Sequence, residues 1–399
     1  MNARNSIVVV LALLIAAPLV AGTISVDTSF YTAPADKTLP LVAGDHAKNV
    51  ILLIGDGMGY CQVEATQYTA VGPEGRLHMQ TLPVTGMMST WSADRLITDS
   101  AASGTAMATG YKTDNRRIGT LPNGQKPVSI LEAAEQRGLA TGLVATSTIT
   151  HATPAAFAAH QPSRYDQPAI AVDMAASGVD VVLGSGYKYW QPAPDGVRED
   201  GLDLLQQLQN DGYRLARTGD EMMALDRMPA IGLYGPDALD ETPDEPSIAD
   251  LTRKAIELLS QDDDGFFLMV EGSQIDWEAH SNEEDELVRR ALLFDLAVAE
   301  AIEFAKQDGN TLVIITADHE TGGMTLTKGN RDGSEVVAQF SSTGHTAGSM
   351  PVFAYGPGAL AFTGLYENSD LAVKMARVLQ ISDFPRLHQN SDSSQTLSD

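Results

Sequence analysis

Cysteine is almost missing from this chain, with Cys61 the single example. One thiol excludes an intramolecular disulfide even in an oxidising compartment, and it leaves any metal site to oxygen and nitrogen ligands. Cations are also scarce: 26 Lys and Arg stand against 52 Asp and Glu, a formal net charge of −26. That balance disfavours nucleic acid and anionic membrane as partners. An anionic substrate would need local cations or metals to offset the repulsion. A spanning apolar segment is missing too, because the run Ile7–Leu19 is short and interrupted by Pro18. With Arg4 before it and Ala21 and Gly22 after it, residues 1–21 read as a secretory signal peptide and no permanent membrane anchor, with export to the periplasm or medium as the consequence. No internal repeat is visible. No dinucleotide fingerprint is present either: in Gly55-Asp56-Gly57-Met58-Gly59 the spacing would need glycine at Tyr60, and Asp56 would repel a pyrophosphate.

What is present is a core. With 399 residues, 43% of them hydrophobic, the chain can build one large α/β domain or two ordinary ones. Residues 22–48 are polar and turn-rich and read as a surface arm. Continuous apolar runs follow at Asn49–Ile54, Ala140–Val144, Val179–Leu183, Phe266–Val270, Thr311–Ile315 and Val352–Tyr355, the pattern of strands buried on both faces. Helical patterns such as Val128–Arg137 and Glu286–Lys306 lie between them. This alternation predicts an α/β three-layer sandwich, a mostly parallel central sheet with helices on both faces. Residues 49–387 would form one catalytic domain, 185–245 a surface excursion above the sheet, and 388–399 a disordered tail.

Three of the apolar runs end in potential ligands: Asp56 after the first, Glu271, Asp276 and His280 after FFLMV, and Asp318 and His319 after TLVIIT. Ligands of open α/β sheets bind outside the carboxyl ends of the strands, so these groups should converge on one edge. So many carboxylates repel unless cations neutralise them, and carboxylate with imidazole suits zinc while an all-oxygen subset suits magnesium. Asp276 and His280, spaced i, i+4, share a helix face. The run Thr98–Gly110 sets Asp99 and Ser100 at the head of small residues; taken alone it is an ordinary Asp/Ser cap on a buried helix, and beside metals Ser100 becomes a candidate nucleophile. His345 in STGHTAG, His151 and Thr153 in THATPAAF and Arg164 in QPSRYD complete the set, while His46, His78, His160 and His388 fall outside it.

NVILLIGDGMG, TDSAASGTAMATG, THATPAAFAAH, VEGSQIDWEAH, TADHETGG and the late GHT, in this order and over nearly all of the chain after the leader, resemble the metal-dependent alkaline phosphatases. The resemblance implies that Ser100 becomes phosphorylated and that Arg164 clamps the phosphoryl oxygens, with Asp99 orienting Arg164. It implies one zinc held by Asp276, His280 and His345, a second by Asp56, Asp318 and His319, and a magnesium by Asp56, Thr153 and Glu271. Small phosphate monoesters would be the substrates, and a homodimer the assembly. The sequence departs from the best-known bacterial pattern at His151, where some members have Asp, and at Trp277, where those members have Lys; both put magnesium affinity and phosphate retention in question. A short Glu320–Gly344 implies an open cleft. The alternatives are a phosphodiesterase of the same superfamily and an exported metal or phosphate scavenger without catalysis.

Overall fold

The computed structural model describes residues 20–242 and 245–389. In chain order, β1 (Val20–Thr23) precedes an extended arm and β2 (Asn49–Gly55). Next come α1 (Tyr60–Val71), β3 (Val84–Ser89), α2 (Ser100–Thr109), α3 (Ile130–Glu135), β4 (Ala140–Thr148), α4 (Ala152–Ala158) and α5 (Gln167–Ala176). β5 (Val181–Ser185), α6 (Leu204–Asn210), β6 (Arg214–Ala216), α7 (Gly219–Met223) and β7 (Ala230–Leu233) lead to α8 (Ile248–Leu259) and β8 (Phe266–Gly272). The rest holds α9 (Gln274–Ser281), α10 (Glu284–Asp308), β9 (Thr311–Thr316), β10 (Glu320–Thr321), β11 (Met324–Gly329), β12 (Val336–Phe340), β13 (His345–Thr346), β14 (Met350–Tyr355), β15 (Gly364–Glu367) and α11 (Asn368–Val378).

Ten strands form one sheet in the order β15-β3-β14-β9-β2-β8-β4-β5-β7-β6. Every strand runs parallel except β14, which is antiparallel to both β3 and β9. The central strands β2, β4, β8 and β9 are buried at every position, which is why they read as unbroken apolar runs. One group of helices, α1, α8, α9 and α10, packs together, and a second group, α2, α3, α4 and α11, does the same, giving the layered architecture expected. β11 and β12 form a small separate sheet with β1.

Three expectations change. Segment 185–245 does not stand above the sheet; it extends the sheet with β7 and β6, strands too short and too interrupted by Gly and Pro to read as apolar runs. The arm is tied down: Tyr31 donates to buried Asp295 of α10 at 2.6 Å, a carboxylate that also accepts from the backbone N–H groups of His78 and Met79. The presumed tail begins later than residue 388, because the His388 N–H donates to the Lys126 carbonyl at 2.9 Å, while residues 390–399 lie outside the described residues. Of the expected leader only Val20 and Ala21 are described, and β1 straddles its expected end.

Helices α2 and α4 approach closely at Gly104, where an added Cβ would lie 3.2 Å from the Ala156 Cβ and 3.4 Å from the Thr153 Cα. Gly104→Val is therefore expected to push α4 away and to destabilise the fold by about 1–3 kcal/mol, measurable by urea denaturation, with turnover falling beyond what the unfolded fraction accounts for.

Candidate active site

Parallel strands deliver the polar residues to one edge. Asp56 follows β2, Glu271 lies near the end of β8, Asp318 and His319 follow β9, and His151 and Thr153 follow β4 and open α4. Asp56, Thr153, Glu271, Asp318 and His319 are all fully buried. Gly57, with φ +70°, has no room for a side chain, since a Cβ there would meet Asp276 at 2.8–2.9 Å; this lets the β2 turn and α9 close on each other.

Both carboxylate oxygens of Asp56, one oxygen each of Glu271 and Asp318, and the Thr153 hydroxyl have no hydrogen-bond partner among the described residues. Burial and the neighbouring carboxylates of Asp318, Asp276 and Glu271 push Asp56 well above the ordinary carboxylate range. Burial likewise raises Glu271 to about 7, although Ser273 and Ser147 donate to it. Orphaned buried acceptors of this number are costly without a cation to receive them.

The imidazoles make the same case independently. His280 Nδ1 faces the Thr343 carbonyl at 2.6 Å and His345 Nδ1 faces the Thr98 carbonyl at 2.9 Å, so each ring carries its proton on Nδ1. Their Nε2 atoms then turn lone pairs towards each other at 3.1 Å, with Asp276 oxygens 3.3 Å from His280 and 3.6 Å from His345. Only a cation or a proton satisfies that arrangement. Hydrogen bonding from Asp276 raises His280 to about 9, burial lowers His345 to about 4, and Asp276, which burial would raise, is held below the usual range by His280. Asp276 also lies with His319 and His345 as possible ligands of one ion, and Asp56 does so with Asp318 and His319, so His319 stands between the two clusters.

Ser100 is the first residue of α2, and its Oγ lies 3.2 Å from His319 Nε2. Asp99 caps the helix by accepting from the Ala102 N–H at 3.0 Å, and its other oxygen binds Arg164 Nη1 at 3.2 Å. The Arg164 Nη2 donates to His151 Nε2 at 3.2 Å, and burial together with Arg164 lowers His151 to about 3, so the ring is neutral. His151 also lies close to Asp56 and Glu271, but with Nε2 accepting from Arg164 its Nδ1 carries the ring proton and its one lone pair is taken; Trp277 packs edge-on against it at 6.0 Å. A cleft of about 680 Å³ opens over Asp99, Arg164, His280 and His345, rimmed by Arg95 and Arg116.

Several supporting residues escaped the sequence reading. Thr321 holds both Asp276 and His319, and Glu320 binds Gln62, Thr346 and the Gly323 N–H. Ser103 donates to the Asp318 carbonyl at 2.7 Å. Arg116, at φ +76°, donates its N–H to Asp99 while its carbonyl accepts from the Arg164 N–H at 2.8 Å. Polar residues of this kind carry no periodicity; the one available signal was their closeness to the ligand motifs.

A parallel sheet whose carboxyl edge gathers buried acids, imidazoles and a serine at a helix N-terminus defines a metal-edge hydrolase of the α/β class. The family model described as alkaline phosphatase matches residues 47–340, and the chain belongs to that family of phosphomonoester hydrolases. It is 36% identical to alkaline phosphatase 4 of Bacillus subtilis over 84% of this chain and 89% of that protein, and 34% identical to the alkaline phosphatase of Escherichia coli over 84% and 86%. The solved alkaline phosphatase of the Antarctic bacterium TAB5 superposes with a TM-score of 0.77 at 38% identity, covering 86% of this chain and 99% of that one. A variant of it in which a histidine is replaced by aspartate was solved with Mg bound in its M3 site. Among the described residues of the present chain, no helix is long and apolar enough to cross a membrane.

The raised carboxylates give a pH signature. Asp56 and Glu271 bind protons in the folded state that the unfolded chain, near 3.8 and 4.5, has released, so metal-free stability falls as pH rises through Glu271's value of about 7. His280 adds to the fall between 6.5 and about 9, while His345 and His151, both lowered by burial, oppose it below 6.5. Chelated protein should therefore lose Tm between about pH 6.5 and about pH 9, where no lowered histidine offsets the fall, and metal-loaded protein should lose much less; parallel slopes in the two scans would contradict this account.

Proposed function

We propose that this chain hydrolyses phosphate monoesters to alcohol and inorganic phosphate through a phosphoserine at Ser100. The carrying observation is the Ser100 hydroxyl at the start of α2, set against His319 where the unpaired carboxylate oxygens meet. The donor sets fit two zinc ions, one at Asp276, His280 and His345 and one at Asp56, Asp318 and His319, with magnesium at Asp56, Thr153 and Glu271. Such ions, when bound, lower the pKa of a hydroxyl or water and stabilise a leaving oxygen.

The chain's own groups do the rest. Arg164, held by Asp99, offers its guanidinium to the phosphoryl oxygens, and the open N–H groups of the first turn of α2 add a second anion-binding surface. Ser100 Oγ attacks phosphorus in line with the ester oxygen, whose bond to phosphorus breaks as the alcohol leaves. Water then attacks the phosphoserine from the vacated side, returning the serine and releasing phosphate. The arginines around the cleft supply the local positive charge that an acidic protein needs to admit a dianion.

The neutral His151 and the Trp277 beside it support weaker retention of product phosphate than a Lys at position 277 would give. We read residues 49–387 as one catalytic domain, the chain as exported and its assembly as a homodimer; the leader motif and the resemblance support these readings.

Ser100→Ala should lower kcat toward an aryl phosphate monoester by about 10³-fold or more while metal content stays that of the wild type; turnover undiminished in this variant would overturn the nucleophile. Chelation should abolish activity, and the matching diester should be turned over far more slowly than the monoester. Trp277→Lys is expected to lower the phosphate inhibition constant several-fold, and an unchanged constant would count against the role given to Trp277.

A further inference from the structure

Away from the active site, three side chains converge at the start of α3. His160 Nε2 lies 2.9 Å from Glu132 Oε1, and His388 Nε2 lies 3.2 Å from the same oxygen. The two rings meet edge to face, 4.9 Å apart and at 83°. One nitrogen or oxygen from each of the three lies within 4.8 Å of the others.

The surroundings decide which atoms are free to bind. His160 Nδ1 faces the Gly119 carbonyl at 2.6 Å and so carries the ring proton, leaving Nε2 as a lone pair aimed at a carboxylate. That contact is built in: Gly119 sits at φ +52°, and a Cβ there would lie 2.2 Å from the Ala159 carbonyl oxygen and 2.8 Å from His160 Nδ1. The His160 backbone N–H is fixed by Asp173 at 2.9 Å. Glu132 is fixed as well, because its Oε2 accepts from the Ser129 N–H at 2.7 Å in the capping box of α3; Oε2 also lies 3.3 Å from His388 Nε2, while Oε1 faces both imidazoles. His388 is brought in by its N–H to the Lys126 carbonyl and by the bridge between Leu387 and Pro127. A carbonyl fixing the tautomer of a histidine and a backbone N–H fixing a carboxylate are the supports usual around protein metal ligands.

We propose that Glu132, His160 and His388 form a divalent-cation site, best suited to zinc, that clips the C-terminal segment onto α3 and the end of α4. Zinc bonds of about 2.0–2.1 Å in a tetrahedron place ligand atoms about 3.3 Å apart, close to the spacings seen here, and the half-exposed His388 leaves the fourth position to water. Two imidazoles and a carboxylate with no thiolate disfavour softer ions, and one carboxylate alone is too few for magnesium or calcium. The competing arrangement is a proton on His160, which Glu132 stabilises and nearby Lys126 opposes; it weakens as the solution becomes alkaline, where imidazole is free to bind metal. This site does not depend on the reaction assigned to Ser100.

The test uses the full chain, loaded with zinc and freed of excess by gel filtration, for wild type, His388→Ala and Glu132→Gln. Metal analysis should find about one zinc fewer per chain in each variant, with turnover of an aryl phosphate monoester within about twofold of wild type. Added zinc should raise the Tm of the chelated wild type further than that of His388→Ala. Equal zinc content in wild type and His388→Ala would overturn the site and leave an ion pair in its place. A zinc loss matched by loss of turnover would also overturn it, since the missing ion would then belong to the active site.

Discussion

Buried carboxylate oxygens without partners are the constraint around which this protein is arranged. Asp56, Glu271 and Asp318 are fully excluded from water at the carboxyl ends of three adjacent strands, with acceptor atoms that no described donor satisfies. Burial of such groups opposes folding unless charge of the opposite sign is supplied. The fold thus tolerates a local conflict at one edge, and the apolar strands β2, β8 and β9 behind it provide the burial that outweighs the cost. The same conflict prepares the edge for divalent cations, because Asp56, Thr153, Glu271 and Asp318 are already held in place and already short of a partner.

Orientation comes from backbone carbonyls and hydroxyls more than from other ligands. Thr343 and Thr98 set the tautomers of His280 and His345, Thr321 ties Asp276 to His319, and Ser103 anchors the Asp318 backbone. These contacts fix which nitrogen faces inward before any ion arrives. They also connect the site to α2, since Thr98 and Ser103 flank Ser100 on that helix and its entry.

Much of this was legible in the sequence where burial was complete. The six apolar runs became strands because strands buried on both faces are mostly apolar, with only small hydroxyl residues such as Thr141 among them, and the ligands stood out as abrupt exceptions at their ends. The sense of β14 was not legible, since an apolar run has no direction. Nor were β6 and β7, which lie at the sheet's margin, need only a few apolar positions and sit among turn residues. His160 and His388 were read as unremarkable because their meeting at Glu132 depends on where the C-terminal segment returns, a contact 256 residues apart in sequence that no local pattern encodes.

Asp99 shows how one carboxylate can serve two partners. A helix cap and an arginine partner look like alternatives when only TDSAAS is in view, yet the carboxylate has two oxygens and uses them differently. One accepts from the Ala102 N–H and starts α2 at Ser100; the other accepts from Arg164. The Arg116 backbone, in the left-handed region at φ +76°, holds both partners at once through its N–H to Asp99 and its carbonyl to Arg164. A non-glycine residue persists there only when its surroundings over-determine it, at a cost of about 1–3 kcal/mol. The helix start, Ser100 and the Arg164 guanidinium are therefore one mechanical unit. Displacing the Asp99 carboxylate would disturb all three together, so the capping bond that makes Ser100 look ordinary also ties the start of α2 to the Arg164 guanidinium.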